Sequence, residues 1–101
     1  MTNYSSITKE AFKKLLDSNE YLLIDTRTPS EISMGKIREN ALEIDVCSEN
    51  FMDQVNTLDK NLKYLLYCRS GGRSSQLREI MKLNDFKEVH DLQGGILAWD
   101  F

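Results

Sequence analysis

The chain predicts an α/β fold with a mainly parallel sheet, and three observations carry that prediction. Short apolar runs of strand length at residues 21–25, 41–46, 62–67 and 88–92 alternate with stretches of helical periodicity. With 101 residues, the chain is long enough for one domain with a real core and too short for two. The third observation is the stretch Tyr67-Cys68-Arg69-Ser70-Gly71-Gly72-Arg73-Ser74, which joins the apolar run 62–67 to a helical stretch at 75–84. It places a cysteine at the carboxyl end of a strand, the edge where open α/β sheets bind ligands.

The elements follow in order. Residues 4–6 suit a short edge strand. Thr8 suits an N-cap, with Ile7 and Phe12 at hydrophobic-staple spacing. Ala11, Phe12, Leu15 and Leu16 then mark one apolar face of a helix over 9–18. After the buried strand 21–25, Thr28 caps, Pro29 takes the first helical position and Glu31 completes a capping box. That helix should run to Met34 and stop at Gly35. Asn40 is expected to supply a left-handed turn before the strand 41–46. Ser48 is expected to cap a helix running through Leu58, with Phe51, Met52, Val55 and Leu58 on one face. Met34, Met52 and Met81 read as core filler. Leu77, Ile80 and Met81 point the helix 75–84 inward, which leaves Arg78 on its exposed face. Gly94 and Gly95 suit a tight turn beside another loop, and Trp99 a core anchor.

The 68–74 stretch contains the residue types that anion and thiol chemistry need. A thiolate is the nucleophile, and nearby arginines and a helix N-terminus lower a thiol's pKa. Gly71 and Gly72 let the backbone curl through positive φ, and successive N–H groups in such a curl form an anion-binding nest. Arg69 and Arg73 add guanidinium forks suited to oxyanions. Asp25 and Arg27 lie two apart on a strand, so they point the same way. They read as scaffolding that ties the loop beyond the strand, outside the chemistry itself. Cys47 reads as a small, semi-buried apolar residue, and His90, the only histidine, as a strand position. With Cys47 and Cys68, His90 has no metal-ligand spacing, so no metal is expected.

Composition narrows the classes. A net charge of −3 gives no global basic field for nucleic acid. No stretch approaches the length of a membrane span. Met1-Thr2-Asn3-Tyr4 is not a basic region followed by an apolar one, so a cytoplasmic protein is expected. Two cysteines make no disulfide framework, and a reducing cytosol would keep Cys68 a thiol.

Three motifs together resemble the rhodanese-like sulfurtransferases. The first is the Cys68 loop, with four residues between Cys68 and Arg73. The second is Asp25-x-Arg27-x-Pro29-x-Glu31 followed by Gly35 and Ile37. The third is Gly94-Gly95, two residues, Ala98-Trp99. The likeness runs from residue 7 to 99. Lys36 stands where the family usually has histidine, and the connection 38–41 is one residue longer than expected; both departures lie away from the loop.

The resemblance implies one domain over 1–101, with a five-stranded mainly parallel sheet flanked by helices on both faces. It implies that Cys68 attacks the outer sulfur of a donor such as thiosulfate and holds it as a persulfide. A cyanide or thiol acceptor then takes the sulfur. Arg69, Ser70, Gly71, Gly72, Arg73 and Ser74 would bind the donor, the two arginines at its sulfonate oxygens, and no cofactor is implied. A sulfur-relay protein as partner is a variant of this reading. The alternatives are a non-catalytic rhodanese-like binding or regulatory module, and phosphatase or arsenate reductase chemistry on the same fold. The phosphatase loop is one residue longer.

Overall fold

The computed structural model describes residues 2–101. Five strands form one sheet: β1 (Tyr4–Ile7), β2 (Leu22–Asp25), β3 (Leu42–Glu43), β4 (Lys63–Tyr67) and β5 (Glu88–Leu92). Their order across the sheet is β1-β5-β4-β2-β3, and every pairing is parallel. The crossovers carry α1 (Lys9–Asp17), α2 (Pro29–Ile32), α3 (Phe51–Asn56) and α4 (Gly72–Leu83), and a short 3-10 helix spans Gly95–Ala98.

The two-residue side-chain period of the strands sorts the core into two layers. Ile24, Tyr64, Leu66 and Val89 face α3 and α4, meeting Val55, Leu77 and Met81. Leu23, Leu65, Tyr67 and Leu92 face the other way, against Phe12 of α1. Both faces of the sheet are therefore covered, which is why its central strand reads as one unbroken apolar run. Residues 64–67 of that strand, and Cys68 just after it, are all essentially inaccessible. Such burial leaves β4 little freedom, so the loop after Tyr67 starts from a fixed point.

Local signals explain most element boundaries. Thr8 Oγ1 accepts the Ala11 N–H and starts α1, as expected. The Thr28–Glu31 capping box is complete, with Pro29 at the first turn of α2. Helix α2 is shorter than the sequence suggests, ending at Ile32, and Gly35 (φ 129°) closes the turn after it.

Other expectations are corrected. Ser48 does not cap α3: its hydroxyl donates to the Asp45 carbonyl (2.8 Å) and to Asn50 Oδ1 (3.0 Å), and the helix begins only at Phe51. Strand β3 has two ladder residues; beyond them, Ile44 N–H still donates to the Asp25 carbonyl (3.0 Å). Asn40 is not left-handed; among the described non-glycine residues Asn19 and Asp85 are. Met34 is not core filler but 87% exposed, whereas Met81 is buried. Arg78 is not on an open face: its guanidinium donates to buried Asp91 (2.5 Å) and to Ser6 Oγ (2.7 Å), tying α4 to β5 and β1. Cys47 is exposed, not semi-buried. His90 is held by Ser5 Oγ (2.9 Å) and Glu88 (2.8 Å) within the sheet. Among the described residues no helix is long and apolar enough to cross a membrane.

Candidate active site

The site forms where β4 ends. Cys68 is the first residue beyond the strand and has no exposed surface. The chain then turns through Gly71, whose φ of 106° is open to glycine and strained for other residues. A Cβ there would also stand 3.2 Å from the Gly94 nitrogen. Helix α4 starts at Gly72, three residues earlier than its apolar periodicity indicates. Gly72 therefore has helical backbone, and of the two loop glycines only Gly71 supplies a positive φ.

This curl aims donors at the sulfur. Gly71 N–H donates to Cys68 Sγ at 3.0 Å, Ser74 N–H at 3.5 Å and the Ser74 hydroxyl at 3.4 Å. The sulfur also lies at the N-terminal end of the 12-residue helix α4, where the helix dipole favours negative charge. Burial pushes the Cys68 thiol up. The Ser74 hydroxyl and the N–H groups of Ser74, Gly71 and Ser70 more than offset it, and the thiol is held below its ordinary value. Activation thus comes from the nest and Ser74 ahead of the two arginines.

The arginines have separate surroundings. Arg73 makes a two-pronged pair with Glu31, NH1 to Oε1 and NH2 to Oε2, both 2.8 Å. The pair holds the Glu31 carboxyl down to about 2, helped by the Thr28 N–H, and raises Arg73 further above its already high value. The Arg73 charge, expected at the donor's oxygens, is thus matched from within the chain. Arg69 is exposed and forms no ion pair among the described residues. Ser70 and Gly72 are exposed on the loop, and Ser74 is buried beneath it.

Asp25 and Arg27 form the frame behind the loop. Arg27 donates to both Asp25 oxygens (2.9 and 2.7 Å), and both residues are buried. Arg27 also donates to the carbonyls of Glu31 (3.2 Å) and Gly35 (2.6 Å). Tyr67 Oη donates to Asp25 (2.6 Å) and accepts the Ile37 N–H (3.2 Å). Burial, then Asp25, pushes the Tyr67 hydroxyl well above its ordinary value, so it stays a donor. This network locks β4 to the segment after α2. Breaking one partner of such a buried pair costs about 3–5 kcal/mol.

A second clamp comes from the chain end. Gly94 and Gly95 both have positive φ, and a Cβ on Gly95 would meet the Arg69 and Cys68 carbonyl oxygens at 2.4 and 2.6 Å. Ile96 N–H donates to the Cys68 carbonyl (2.9 Å) and Leu97 N–H to that of Arg69 (3.2 Å). Trp99 packs edge-on against Phe12, its ring centre 5.9 Å away, which anchors this segment.

The structure thus brings Cys68, Gly71, Ser74 and Arg73 together and sets Asp25 and Arg27 behind them. Sequence reasoning missed Glu31 as the Arg73 partner and Tyr67 as the support of Asp25. Glu31 was visible within the second motif but read only as a cap. Among the described residues no cluster of His, Cys, Asp and Glu is arranged to hold a metal.

Comparison with known proteins identifies the family and the fold. The family model described as the rhodanese-like domain matches residues 8–100. A protein of Allochromatium vinosum named sulfurtransferase is 34% identical over 87 residues, covering 86% of this chain and 78% of its own. The crystal structure of a rhodanese-like domain protein from Staphylococcus aureus superposes with a TM-score of 0.81 at 34% identity, covering 95% of this chain and 91% of that one. A tRNA uridine(34) hydroxylase of Wigglesworthia glossinidia brevipalpis is 34% identical over 99 residues, covering 92% of this chain but only 30% of its own. The match to the family model spans nearly the whole chain, and the chain belongs to the rhodanese-like domain family.

Proposed function

We propose that this chain is a sulfurtransferase that carries a sulfane sulfur as a persulfide on Cys68. The observation that carries the reading is the set of three donors aimed at a buried Cys68 Sγ. They stabilise a thiolate before the donor arrives, so no general base is required. The sulfurtransferase named in Allochromatium vinosum, which matches over most of both chains, supports the same class.

The Cys68 thiolate attacks the outer sulfur of thiosulfate. A Cys68–S–S bond forms, the donor's S–S bond breaks and sulfite leaves with its electron pair. The N–H groups of Gly71 and Ser74 then serve the terminal sulfur. Arg69, exposed and without an ion pair among the described residues, meets the donor's oxygens, while Arg73 holds the loop in shape through Glu31. An acceptor, cyanide or a thiol, attacks the terminal sulfur and restores the Cys68 thiolate. Two half-reactions through one covalent intermediate give ping-pong kinetics. A cytoplasmic setting would keep the thiol reduced.

The test is thiocyanate formation from thiosulfate and cyanide, run beside hydrolysis of an aryl phosphate. Turnover of the sulfur pair, abolished in Cys68→Ser, is the expected result. Cys68-dependent phosphate hydrolysis with no thiocyanate would overturn the proposal in favour of phosphatase chemistry. Neither activity would point to a binding module.

A further inference from the structure

One buried polar group at the carboxyl edge of the sheet has no part in the chemistry described so far. Thr26 directly follows β2 and has no exposed surface. The ladder that pairs Asp25 with Tyr67 sets it beside Cys68, one residue past the end of each strand. Its hydroxyl donates to the Tyr67 carbonyl at 2.9 Å, and its own N–H donates to the same oxygen at 2.9 Å.

The sheet does not need that hydroxyl. The N–H alone completes the ladder, and a β-branched valine suits such a position equally well. Burying a hydroxyl also costs desolvation, which its hydrogen bond has to offset. What the hydroxyl adds is a second hold on one atom, the carbonyl oxygen of the peptide that joins Tyr67 to Cys68. A peptide is planar, so holding its oxygen sets the direction of the Cys68 N–Cα bond. The next peptide is held as well, since Ile96 N–H donates to the Cys68 carbonyl at 2.9 Å. Cys68 therefore lies between two anchored planes. Among the described residues Thr26 supplies the only side-chain hydrogen bond to either carbonyl. The Ser74 contacts to Cys68 Sγ, at 3.4 and 3.5 Å, depend on where those planes aim the sulfur.

We propose that Thr26 is a positioning residue for Cys68, its hydroxyl setting the peptide plane from which the sulfur is aimed at the Gly71 and Ser74 donors. Its bearing on sulfur transfer rests on the persulfide reading above. A thiolate aimed off its donors is less stable as an anion and approaches the donor sulfur along a poorer line, and small errors at an attacking atom are costly.

The experiment compares the native protein with Thr26→Val, Thr26→Ser and a control, Val55→Ala. Val55 is buried on α3, outside the Cys68 loop, so its truncation weakens the fold without removing a contact to the sulfur. Each protein is alkylated with iodoacetamide across a pH series, read on the peptide bearing Cys68, and loaded with sulfur across a thiosulfate series. Thr26→Val is expected to raise the alkylation midpoint by about half a pH unit, about threefold less thiolate, from the low end of what one hydrogen bond contributes. Its maximal loading rate should fall, with the half-saturating thiosulfate concentration unchanged because Arg69 is untouched. Thr26→Ser, which keeps the hydroxyl, should recover both. Val55→Ala should lose urea stability and keep the native midpoint. A native midpoint in Thr26→Val, no recovery in Thr26→Ser, or an equal shift in Val55→Ala would overturn the proposal and leave the sulfurtransferase reading standing. A native protein that loads no sulfur would overturn that reading, and the alkylation midpoints would still decide whether Thr26 aims Cys68.

Discussion

Replacing Ser74 by alanine isolates one donor of the thiolate nest. Ser74 is fully buried, and its hydroxyl reaches Cys68 Sγ at 3.4 Å, with the Gly71 carbonyl as an alternative acceptor at 3.4 Å. Apart from burial, which opposes it, this hydroxyl is the largest influence on the Cys68 thiol. The backbone donors of Gly71 and Ser74 survive the substitution. A hydrogen bond to a charged group contributes about 1.5–3 kcal/mol, and the long O–H···S contact belongs at the low end. Losing about 1.5 kcal/mol shifts the thiol–thiolate equilibrium about tenfold toward thiol. Ser74→Ala should therefore raise the midpoint of thiolate ultraviolet absorbance against pH, with Cys68→Ser as the blank. Sulfur loading at neutral pH should slow and recover at alkaline pH. The sign carries over to stability. Because the folded thiol lies below its unfolded value, near 8.5, its contribution is complete above that pH and is lost as pH falls through the folded value. Ser74→Ala should shrink that pH-dependent part. An unchanged midpoint, or slow loading that alkaline pH does not rescue, would refute this account of activation.

Further outcomes follow from the clamps. Glu31 titrates near 2 in the folded chain against an ordinary 4.5, so its pairing stabilises above about 4.5 and fades as pH falls toward 2. Both partners are about a quarter exposed, which trims the effect to about 1–2 kcal/mol, and Arg73→Ala should flatten the acid limb of urea stability by that much. Gly95→Ala should cost about 2 kcal/mol or more in thermal unfolding and displace the loop, with loss of turnover, because its Cβ would stand 2.4 Å from the Arg69 carbonyl oxygen. Gly72→Ala, with nothing within 4 Å of the added carbon, should be neutral or stabilise by about 0.4–1 kcal/mol. Arg78→Ala strands the Asp91 carboxylate, which is 1% exposed, and should cost about 3 kcal/mol in urea unfolding.

What the sequence shows well is set by neighbouring residues. Thr8, Thr28, Pro29 and Glu31 form caps within one helical turn, and the structure contains them. The Cys68 loop is equally local, since its nest is made by residues three and six positions beyond the sulfur. What stayed hidden depends on distant partners. Arg73 and Glu31 are 42 residues apart, and Arg78 meets Ser6 across 72 residues. Helical periodicity marks Arg78 as outward, but Ser6 of β1 and Asp91 of β5 take its guanidinium. Met34 looks like filler because composition does not reveal which apolar residues border a groove. Ser48 fits a cap by type, yet the Asp45 carbonyl and Asn50 use its hydroxyl first.

The central claim is that Cys68 holds sulfur covalently. It is tested most directly by the mass of the intact protein after incubation with thiosulfate and removal of excess donor. The expected result is a gain of one sulfur, mapped to the peptide bearing Cys68, reversed by cyanide and absent in Cys68→Ser. The same gain on Cys47, or no gain on a folded protein whose Cys68 thiolate is present, would contradict the account.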